Sequence, residues 1–597
     1  MRRVLVFAIG LWLCSGAILM GARLARAQSQ AAPPDPLAGS PAKQPAPDKA
    51  SQKKISGETA AAGYHKKLPR MVIVVTATRM ATPLSEVGTS ASVVTQKLMQ
   101  SQQLHDATNA LREVPGVVVT QSGGAGAIAD ISIRGATPAQ TLVMIDGVPI
   151  NDSATSSFDV SRIMTDSLSQ IEVVRGAGGA LYGSQAIGGV VNFISAEGSG
   201  PAKFSLTSEG GNRASVLQVA TANGADGKLA YNGALSYATT EGFRPVNDSS
   251  DNLSGSMRLD YHLDENTTLR AFGWYTRANL SLANYTVADG ISLDPTAHQR
   301  NEFMLYKGEI DHQFGDKLET RSYGFFVRDV LNINAPPFSG YPVDETDSIP
   351  DETRGANLEA IYTWSKSFRS LIGYDFKDRW VHSQSNFFFL QPPPVSQSLT
   401  VFNARRQEYA GYVEQEARLF DGRVIGTAGF RVDGNSDFGE EVSPAWAVAI
   451  PLEEGLTLRG SYSEGFRAPS FDELYFPGFG NPNLNPEISS EWDGGFTKSF
   501  GEVAEFTATY FSRRVHDLIV TVPCTINPTN CQFGATDGNA ARVDTQGVEI
   551  IPSVHPMQGL TLSGSVTYLD QSHESLEPNT EPLRVPNVAA AALSEYT

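Results

Sequence analysis

Residues 255–263 read GSMRLDYHL, and the alternation within this stretch decides the class of fold that the sequence predicts. Its apolar positions are Met257, Leu259, Tyr261 and Leu263, and the polar positions between them are Ser256, Arg258, Asp260 and His262. A period of two places these two sets on opposite faces of a β-strand. The stretch GLTLSGSVTY at 559–568 has the same period, and about 18 such segments follow one another from residue 201 onward.

The connections between these segments are alternately short and long. Short ones include FDGR at 420–423 and FGEV at 500–503, and long ones include 466–488 and 516–542. Strands joined in this way are typical of an all-β, antiparallel transmembrane barrel with a lipid-facing exterior and a polar lumen. A water-soluble sandwich would also alternate, but its turns would not be so regularly short and long.

The N-terminus predicts export. Arg2 and Arg3 precede an apolar run, and Ala25-Arg26-Ala27 has the form of a cleavage site, so we interpret residues 1–27 as a signal peptide. A single membrane-anchoring helix is the alternative. Residues 28–70 are rich in Pro, Ala, Gln and Lys and poor in large apolar side chains, which predicts a disordered periplasmic linker. No later segment approaches the roughly 20 apolar residues of a transmembrane helix.

Charge and composition exclude several function classes. The formal net charge is -18, and nucleic acid is not an expected partner because phosphate binding needs clustered Lys and Arg. The nine histidines are scattered, and the sequence has neither a metalloprotease motif nor a nucleophile elbow, so we expect no enzyme. Beyond the signal peptide the cysteines are Cys524 and Cys531, whose short spacing in an exported chain predicts a disulfide rather than two free thiols.

Between about residues 105 and 195 the pattern changes to a compact, glycine-rich α+β domain. The stretch HDATNALREVPGV predicts a short amphipathic helix that ends at Pro115-Gly116. Strands are predicted at Val117–Thr120, Asp130–Arg134 and Thr141–Ile145, and an Asp-Gly turn follows the last of them. A domain of this kind would fill the wide lumen of a large barrel.

Several motifs are specific in combination. They are LREVPGV (111–117), ISIRGA (131–136), LVMIDGVPIN (142–151), IEVVRGAGGALYGSQAIGGVVNFIS (171–195), SYSEGFRAPSFDELY (461–475), GNPNLNPE (480–487) and TQGVEI (545–550). Together they resemble the TonB-dependent receptors of the bacterial outer membrane, and within that family most of all the cobalamin receptors. The resemblance implies a box segment at 71–80, a plug domain at 81–198 and an outer-membrane β-barrel at 199–597.

The stretch MVIVVTATRM at 71–80 has two interpretations, the first strand of the folded domain or a tag that another protein captures. The resemblance favours the tag, which the energy-coupling protein TonB binds from the periplasm. It places the box at Ile73, Val74, Val75, Thr76 and Ala77. An extended, β-branched and unpaired peptide on a flexible linker would suit the addition of a strand to the sheet edge of a partner.

Arg134, Glu172 and Arg175 are charged residues within apolar predicted strands. Solvent-facing charges on a half-buried sheet are one interpretation of this pattern. In the family that the sequence resembles, the equivalent charges pair with the barrel wall and hold the plug in place. The resemblance therefore predicts that these three residues form plug-barrel contacts.

The resemblance implies ligand contacts at two plug apices, 121–130 and 151–159, with flexible solvated loops as the alternative. The candidate ligand-binding residues are Ser122, Asp130, Asn151, Asp152, Ser153, Ser156 and Ser157. Cobalamin receptors also bind calcium in an early outer loop. The candidate calcium ligands here are Asn247, Asp248, Asp251 and Asn252, whose oxygen atoms are the type that calcium prefers.

The end of the chain departs from the family pattern. Plugged transporters of this family have barrels of the 22-stranded type, which close with an aromatic final residue. This chain ends in PLRVPNVAAAALSEYT after about 18 strands. We therefore expect a truncated barrel that lacks about four strands and has an unpaired sheet edge.

The favoured function is a monomeric receptor in the lipid of the outer membrane that imports a bulky, scarce nutrient with the help of TonB. Cobalamin is the favoured small-molecule ligand, and a ferric siderophore is the alternative. A passive porin and an adhesion or phage-docking barrel are alternatives of another class, and neither needs a box. No covalent cofactor is expected, and calcium is the one ion that the resemblance suggests.

Overall fold

A computed structural model describes residues 72–244, 246–287, 290–338, 343–389, 396–525, 530–531, 534–557, 559–575 and 586–596. The predicted signal peptide, the predicted linker and Met71 of the box segment lie outside these residues. Among the helices of the described ranges, none is long and apolar enough to cross a membrane.

Residues 72–198 form a small α+β domain, the plug. Its strands are β1 (Ile73–Val74), β2 (Thr82–Pro83), β3 (Ala91–Thr95), β4 (Val117–Gln121), β5 (Ala129–Ile133), β6 (Thr141–Ile145), β7 (Val148–Pro149), β8 (Leu168–Arg175) and β9 (Gly189–Ser195). Its helices are α1 (Gln96–Ser101), α2 (Ala107–Arg112) and α3 (Gly179–Tyr182), with 3-10 turns at Leu84–Glu86, Pro138–Gln140 and Val160–Arg162. The central sheet has the order β3-β8-β9-β6-β7, while β4 pairs with β5 and β1 with β2.

Local sequence explains the plug elements that were predicted. Helix α2 begins after Asp106, whose carboxylate accepts a hydrogen bond from the Asn109 backbone N–H at 2.9 Å, a regular N-cap. The predicted Asp-Gly turn joins β6 to β7, and both Asp146 and Gly147 have positive φ, as a type I′ hairpin requires. The predicted helix and the three predicted strands of this region are thus confirmed.

The described residues from 199 onward form the barrel. Its strands are β10 (Lys203–Gly210), β11 (Val216–Asp226), β12 (Leu229–Thr240), β13 (Ser250–His262), β14 (Thr267–Ser281), β17 (His298–Phe314), β18 (Leu318–Ala335), β19 (Val343–Ser365), β20 (Phe368–Phe389), β21 (Ser396–Leu419), β22 (Val424–Asn435), β23 (Gly439–Pro451), β24 (Leu456–Arg467), β25 (Glu487–Phe500), β26 (Ala504–Pro523), β27 (Ala535–Met557), β28 (Leu560–Ser575) and β29 (Val588–Tyr596). A separate hairpin, β15 (Asn284–Val287) and β16 (Gly290–Leu293), lies between β14 and β17. Helix α4 (Phe471–Tyr475) lies between β24 and β25, and a 3-10 turn at Glu453–Gly455 precedes β24.

The barrel strands form one antiparallel sheet of 18 strands in sequence order, which confirms the predicted number of strands. Strands β10 and β29 are the two ends of that order, and the pairings of the described residues do not join them. Cys524 and Cys531 form the predicted disulfide in the β26–β27 loop, with their Cα atoms 5.8 Å apart.

The alternation of GSMRLDYHL places its two sets of side chains as predicted. Arg258 and Asp260 lie inside the barrel, where the Arg258 Nε donates to Asp260 at 2.7 Å. Tyr261 and Leu263 are exposed on the outer face. The interior is not uniformly polar, however, because the apolar core of the plug continues onto inward-facing rings of the wall. Phe158 of the plug packs edge-on against Phe303, with ring centroids 5.3 Å apart.

Helix α3 shows how closely plug and wall approach. It packs against β22, β23 and β24 of the barrel. A Cβ atom at Gly179 would lie 2.6 Å from the Glu464 carbonyl oxygen, so only glycine fits at the start of this helix. The plug therefore occupies the barrel in direct backbone contact with the wall.

Candidate functional site at the plug-barrel interface

Arg134 is the centre of a buried ion network, which we call the Arg134 network. Its guanidinium lies 2.6 Å from Glu491, 2.7 Å from Asp493 and 2.9 Å from Glu549, three carboxylates on barrel strands β25 and β27. The guanidinium also stacks on the ring of Phe511, with its carbon 4.2 Å from the centroid. Burial alone would lower the pKa of Arg134, but the three carboxylates outweigh burial and raise it well above its ordinary value.

Two further arginines complete the Arg134 network. Arg175 of the plug lies 3.3 Å from Glu549 and also donates to the side chains of Ser90 and Ser92. Arg513 of the barrel lies 3.9 Å from Glu491 and donates to the Arg134 carbonyl at 2.8 Å. Three guanidinium groups thus face three carboxylates, so the network is charge-balanced although its members are buried.

In the structure Arg134 and Arg175 contact barrel carboxylates, whereas Glu172 does not contact the barrel, contrary to the prediction for it. Glu172 is fully buried, but its carboxylate contacts the box segment of the plug rather than the barrel. One carboxylate oxygen accepts hydrogen bonds from the Val75 backbone N–H at 3.1 Å and from the Thr76 backbone N–H at 2.7 Å. Glu172 therefore holds the candidate box to the plug.

The candidate box, Ile73–Ala77, was expected to be unpaired, and the structure shows it docked. Ile73 and Val74 pair with Pro83 and Thr82 in the antiparallel hairpin of β1 and β2. Val74 and Thr76 are buried. Sequence reasoning missed this docking because the candidate box contacts both the nearby strand β2 and plug strands that are distant in the sequence.

Side chains of the central plug region complete the docking of Thr76. The Tyr182 hydroxyl donates to the Thr76 carbonyl at 2.9 Å, and the Asn192 amide donates to the Thr76 hydroxyl at 3.1 Å. Thr76 thus has its backbone N–H, its carbonyl and its hydroxyl all engaged by the plug.

Arg79, two residues beyond the box, is a plug-barrel contact that sequence reasoning missed. Its guanidinium lies 2.6 Å from Glu359 and donates to the Tyr412 hydroxyl at 2.6 Å. It is sandwiched between Tyr182 and Tyr412, with both ring centroids 4.6 Å away. The one sequence signal was a single charged residue in the stretch TATRM. Through Arg79 the docked box is connected directly to the barrel wall.

The two plug apices are also bonded to the barrel. At the second apex the Ser153 backbone N–H donates to Asp351 at 2.6 Å. In the 3-10 turn that follows this apex, Arg162 forms a two-bond pair with Asp329 at 2.8 Å. At the first apex the Ser122 carbonyl accepts a hydrogen bond from Arg244 of the β12–β13 loop.

The candidate ligand residues divide into exposed and buried sets. Asn151, Ser153 and Ser156 are buried. The Asn151 side-chain amide accepts from the Val143 N–H and donates to the Thr141 carbonyl, both on β6, and it donates to the Ser156 carbonyl of its own loop. Ser122 is exposed, whereas Asp130, Asp152 and Ser157 are partly exposed. Burial and then the charges of Asp159 and Asp152 raise the pKa of Asp130 to about 6. Ligand binding by the exposed set stays a prediction.

The four candidate calcium ligands do not converge in the structure. Asp251 and Asn252 are successive residues of β13, so their side chains leave opposite faces of the wall. The Asp248 carboxylate accepts from the Phe243 and Arg244 backbone N–H groups at 2.9 Å, and the Asn247 amide donates to Ala297. As a set they do not fit calcium, which is surrounded by its ligands. In the described parts of the chain no group of three or more His, Cys, Asp or Glu could hold a metal ion.

Comparison with known proteins agrees with this architecture. The family model described as TonB dependent receptor-like, beta-barrel, matches residues 201–594, and that of the TonB-dependent receptor plug domain matches residues 83–190. The vitamin B12 transporter BtuB of Photobacterium profundum is 27% identical over 494 residues, which cover 80% of this chain and 75% of the relative. The vitamin B12 transporter BtuB of Vibrio vulnificus is 26% identical over 501 residues, with the same coverage.

A solved structure also matches. The ferric citrate transporter FecA in its unliganded form gives a TM-score of 0.69 at 15% identity, covering 86% of this chain and 82% of that one. Sequence identity this low shows a common fold and carries no conclusion about the ligand.

Proposed function

The chain belongs to the TonB-dependent receptor family of the bacterial outer membrane, and from this premise we propose that it actively imports cobalamin. The observation that carries the proposal is the connection of the candidate box to the barrel wall through Arg79, on the domain that fills the lumen. A cargo held outside can pass only if this domain rearranges. A protein that pulls on the box would supply the force for that rearrangement.

We assign the TonB-binding role to Ile73–Ala77. A β-branched strand can be added to the sheet edge of a partner, but this segment must first leave β2 and the Glu172 carboxylate. The proposal therefore includes release of the box before its capture. It also treats a single chain as the functional unit.

Cobalamin is proposed as the cargo for two reasons. The sequence motifs resemble those of cobalamin receptors, and two relatives that align with 80% of this chain at 26–27% identity are vitamin B12 transporters. A ferric siderophore is the alternative cargo within the same function.

The test is equilibrium binding and uptake of cyanocobalamin in cells without a cobalamin receptor of their own. Cells carrying the full chain are compared with cells carrying a deletion of Ile73–Ala77. A matched control deletes the five linker residues 40–44, which changes the length of the chain equally. We expect binding in all three and uptake in all but the box deletion.

Uptake that survives the box deletion would replace the importer with a passive porin. A folded barrel that binds a ferric siderophore and not cyanocobalamin would keep the importer and change its cargo. A folded barrel that takes up neither compound would favour an adhesion or phage-docking surface.

A further inference from the structure

A cavity of about 520 Å³ lies at the outer end of the barrel, away from the Arg134 network. Four phenylalanines form its apolar wall, Phe387, Phe389, Phe476 and Phe479. Phe387 and Phe389 follow the inward positions of β20 and stack with ring centroids 6.5 Å apart. Phe476 packs edge-on against Phe402 behind it, at 6.3 Å. This volume suits one moiety of a bulky ligand rather than the whole of it.

The segment that carries Phe476 and Phe479 is held by the neighbouring loop. The Asn530 amide nitrogen donates to the Phe476 carbonyl at 3.2 Å and to the Gly480 carbonyl at 2.9 Å. The Thr536 hydroxyl donates to the Phe479 carbonyl at 2.6 Å. Asn530 lies inside the loop that the Cys524–Cys531 disulfide closes, so a covalent constraint supports this wall of the cavity.

The polar side of the cavity is acidic. Asp472, Glu473 and Asp537 line it. Glu473 pairs with Arg467 through two bonds, both 2.9 Å long, and Arg467 also pairs with Glu487. Among the described residues Asp472 Oδ1 is buried without a hydrogen-bond partner. A buried acceptor without a donor is costly, and a ligand that supplies the donor would remove this cost.

The electrostatics around Asp472 agree with this geometry. Burial, followed by the charges of Asp152, Glu473 and Asp537, raises the pKa of Asp472 to about 7. The cavity is thus an environment that disfavours one more negative charge and favours a positive one.

We propose that this aromatic–carboxylate cavity binds an aromatic or flat apolar moiety that carries an N–H donor or a positive charge. The ring packs against the phenylalanines that line the cavity, and the donor pairs with Asp472. Polyanionic ligands are disfavoured, because none of the described residues that line the cavity is a cation that would meet their charge. The proposal rests on the proposed import function in one respect, that the moiety belongs to the imported cargo.

The cavity is directly bonded to the plug. The Phe471 backbone N–H donates to the Ser153 carbonyl at 2.9 Å, and the Asp472 backbone N–H donates to the Ala154 carbonyl at 3.1 Å. Both acceptors belong to the second plug apex. The Asp472 side chain of helix α4 therefore faces the cavity, while the backbone of the same helix is hydrogen-bonded to the plug apex. A ligand that binds Asp472 would contact a residue that is itself bonded to the plug.

The test uses two probes with the same ring and opposite charge, tryptamine and indole-3-acetate. Their binding to the purified full chain in detergent is measured by saturation-transfer NMR and competition. We expect tryptamine to bind at least about tenfold more tightly than indole-3-acetate. Phe387→Ala and Phe476→Leu should weaken tryptamine by about 2- to 10-fold, the range of single aromatic contacts. Asp472→Asn should reduce the preference between the two probes.

Matched controls come from the same chain. Phe388→Ala changes the residue between Phe387 and Phe389, whose side chain leaves the other face of β20. Asp316→Asn changes an acid in the short β17–β18 turn at the opposite end of the barrel. Neither control should alter the binding of either probe.

Equal binding of the two probes to the unaltered chain would overturn the proposal without any variant. The proposal would also be overturned if the cavity variants bind tryptamine as tightly as the unaltered chain does. Heat-modifiable migration would show that these variants are folded. These outcomes are separate from the test of import. Box-independent uptake of cyanocobalamin would refute the import function and leave the probe preference as it is.

Discussion

Arg79 and Arg134 share a backbone conformation that few arginines adopt, with φ of 51° and 50°. A non-glycine residue in this left-handed region costs of order 1–3 kcal/mol and persists only where its surroundings fix it. Here each guanidinium is fixed by barrel carboxylates and an aromatic ring. Plug docking should therefore depend on these two side chains more than on any exposed charge.

Replacing Arg134 should loosen the plug. Arg134→Ala leaves Glu491, Asp493 and Glu549 buried without their common partner, and removal of one partner of a buried pair costs about 3–5 kcal/mol. We expect a fall of this size in the free energy of unfolding of the plug, measured by guanidinium titration with a fluorophore on the plug. Arg112→Ala, at an exposed plug arginine, is the control and should change it by less than about 0.5 kcal/mol. An equal effect of the two variants would contradict the role of the Arg134 network.

Neutralising Glu172 should release the candidate box. Hydrogen bonds to a charged group contribute about 1.5–3 kcal/mol, and Glu172→Gln keeps one acceptor oxygen, so we expect a loss of about 1–2 kcal/mol in docking free energy. A spin label at Val72 should then show a mobile component at least several-fold larger than in the unaltered chain. Glu113→Gln, at a partly exposed plug carboxylate, is the control. An immobile label in Glu172→Gln would show that β1–β2 pairing alone docks the box.

Sequence reasoning singled out Arg134, Arg175 and Glu172, and it missed Arg79. Arg134 and Arg175 were noticed as charges within apolar strands, and the family resemblance then predicted their contacts with the barrel. Glu172 has the same signal, but its partners are backbone N–H groups 96 and 97 residues earlier, and no side-chain pattern marks a backbone donor. Arg79 was missed because its acceptors, on β19 and β20, become neighbours only when the plug is inside the barrel.

At the scale of elements, the period of the sequence and the turn residues predicted the strands. Sites built from segments that meet only in the folded chain could not be predicted in this way. The alternation of β13 and the Asp-Gly turn after β6 depend on neighbouring residues and are visible in sequence. The aromatic–carboxylate cavity combines β20, the segment after α4 and β27, which are distant in the chain. None of these segments is unusual by itself, so the sequence offered no sign of their convergence.

The stabilising effect of the contact between His105, just before α2, and strand β10 should depend on pH. His105 lies 2.8 Å from Asp166 in the plug and 3.2 Å from Glu209 on β10. The hydrogen bond to Asp166 raises the pKa of His105, burial opposes it, and the charges of Asp166 and Glu209 add to the rise. A raised histidine pKa stabilises the folded state fully below the unfolded value of about 6.5 and loses this contribution as pH rises through the folded value.

We therefore expect His105→Asn to lower the free energy of unfolding at pH 5.5–6 and to have a smaller effect at pH 9. The measurement is guanidinium unfolding of both chains in detergent at the two pH values. His382→Asn, an exposed histidine on β20, is the control and should show no such difference. A larger effect at pH 9 would contradict the ion pair.

At the scale of the whole molecule the outer face is the unusual surface. Many large apolar side chains that leave the barrel wall are exposed, among them Leu358, which is 54% exposed, and Trp446 and Trp492. In a water-soluble protein such a continuous apolar surface would cause association. In the outer membrane we expect lipid to cover this surface.

A charge placed on this surface should impair insertion. Leu358→Lys should cost about 2–4 kcal/mol if the side chain lies near the middle of the bilayer, whereas an exposed position in water tolerates lysine within about 0.5 kcal/mol. Folding into lipid vesicles, followed by heat-modifiable migration against urea concentration, measures the difference. Val503→Lys, in the short β25–β26 turn, is the control and should fold as the unaltered chain does. Equal folding of the two variants would mean that lipid does not cover Leu358.

The hairpin of Ile73–Val74 with Thr82–Pro83 sets a condition on any sharing of TonB between receptors. If Ile73–Ala77 is the TonB-binding segment, β2 and Glu172 compete with TonB for the same backbone groups. Each 1.4 kcal/mol of docking then lowers the apparent affinity for TonB about tenfold. Several kinds of receptor can compete for a limited number of TonB molecules. A receptor whose TonB-binding segment stays docked on its own plug binds fewer of these molecules and leaves more for the other receptors. The order in which nutrients are imported would then depend on how stably each receptor docks its own first strand, and not on a property of TonB.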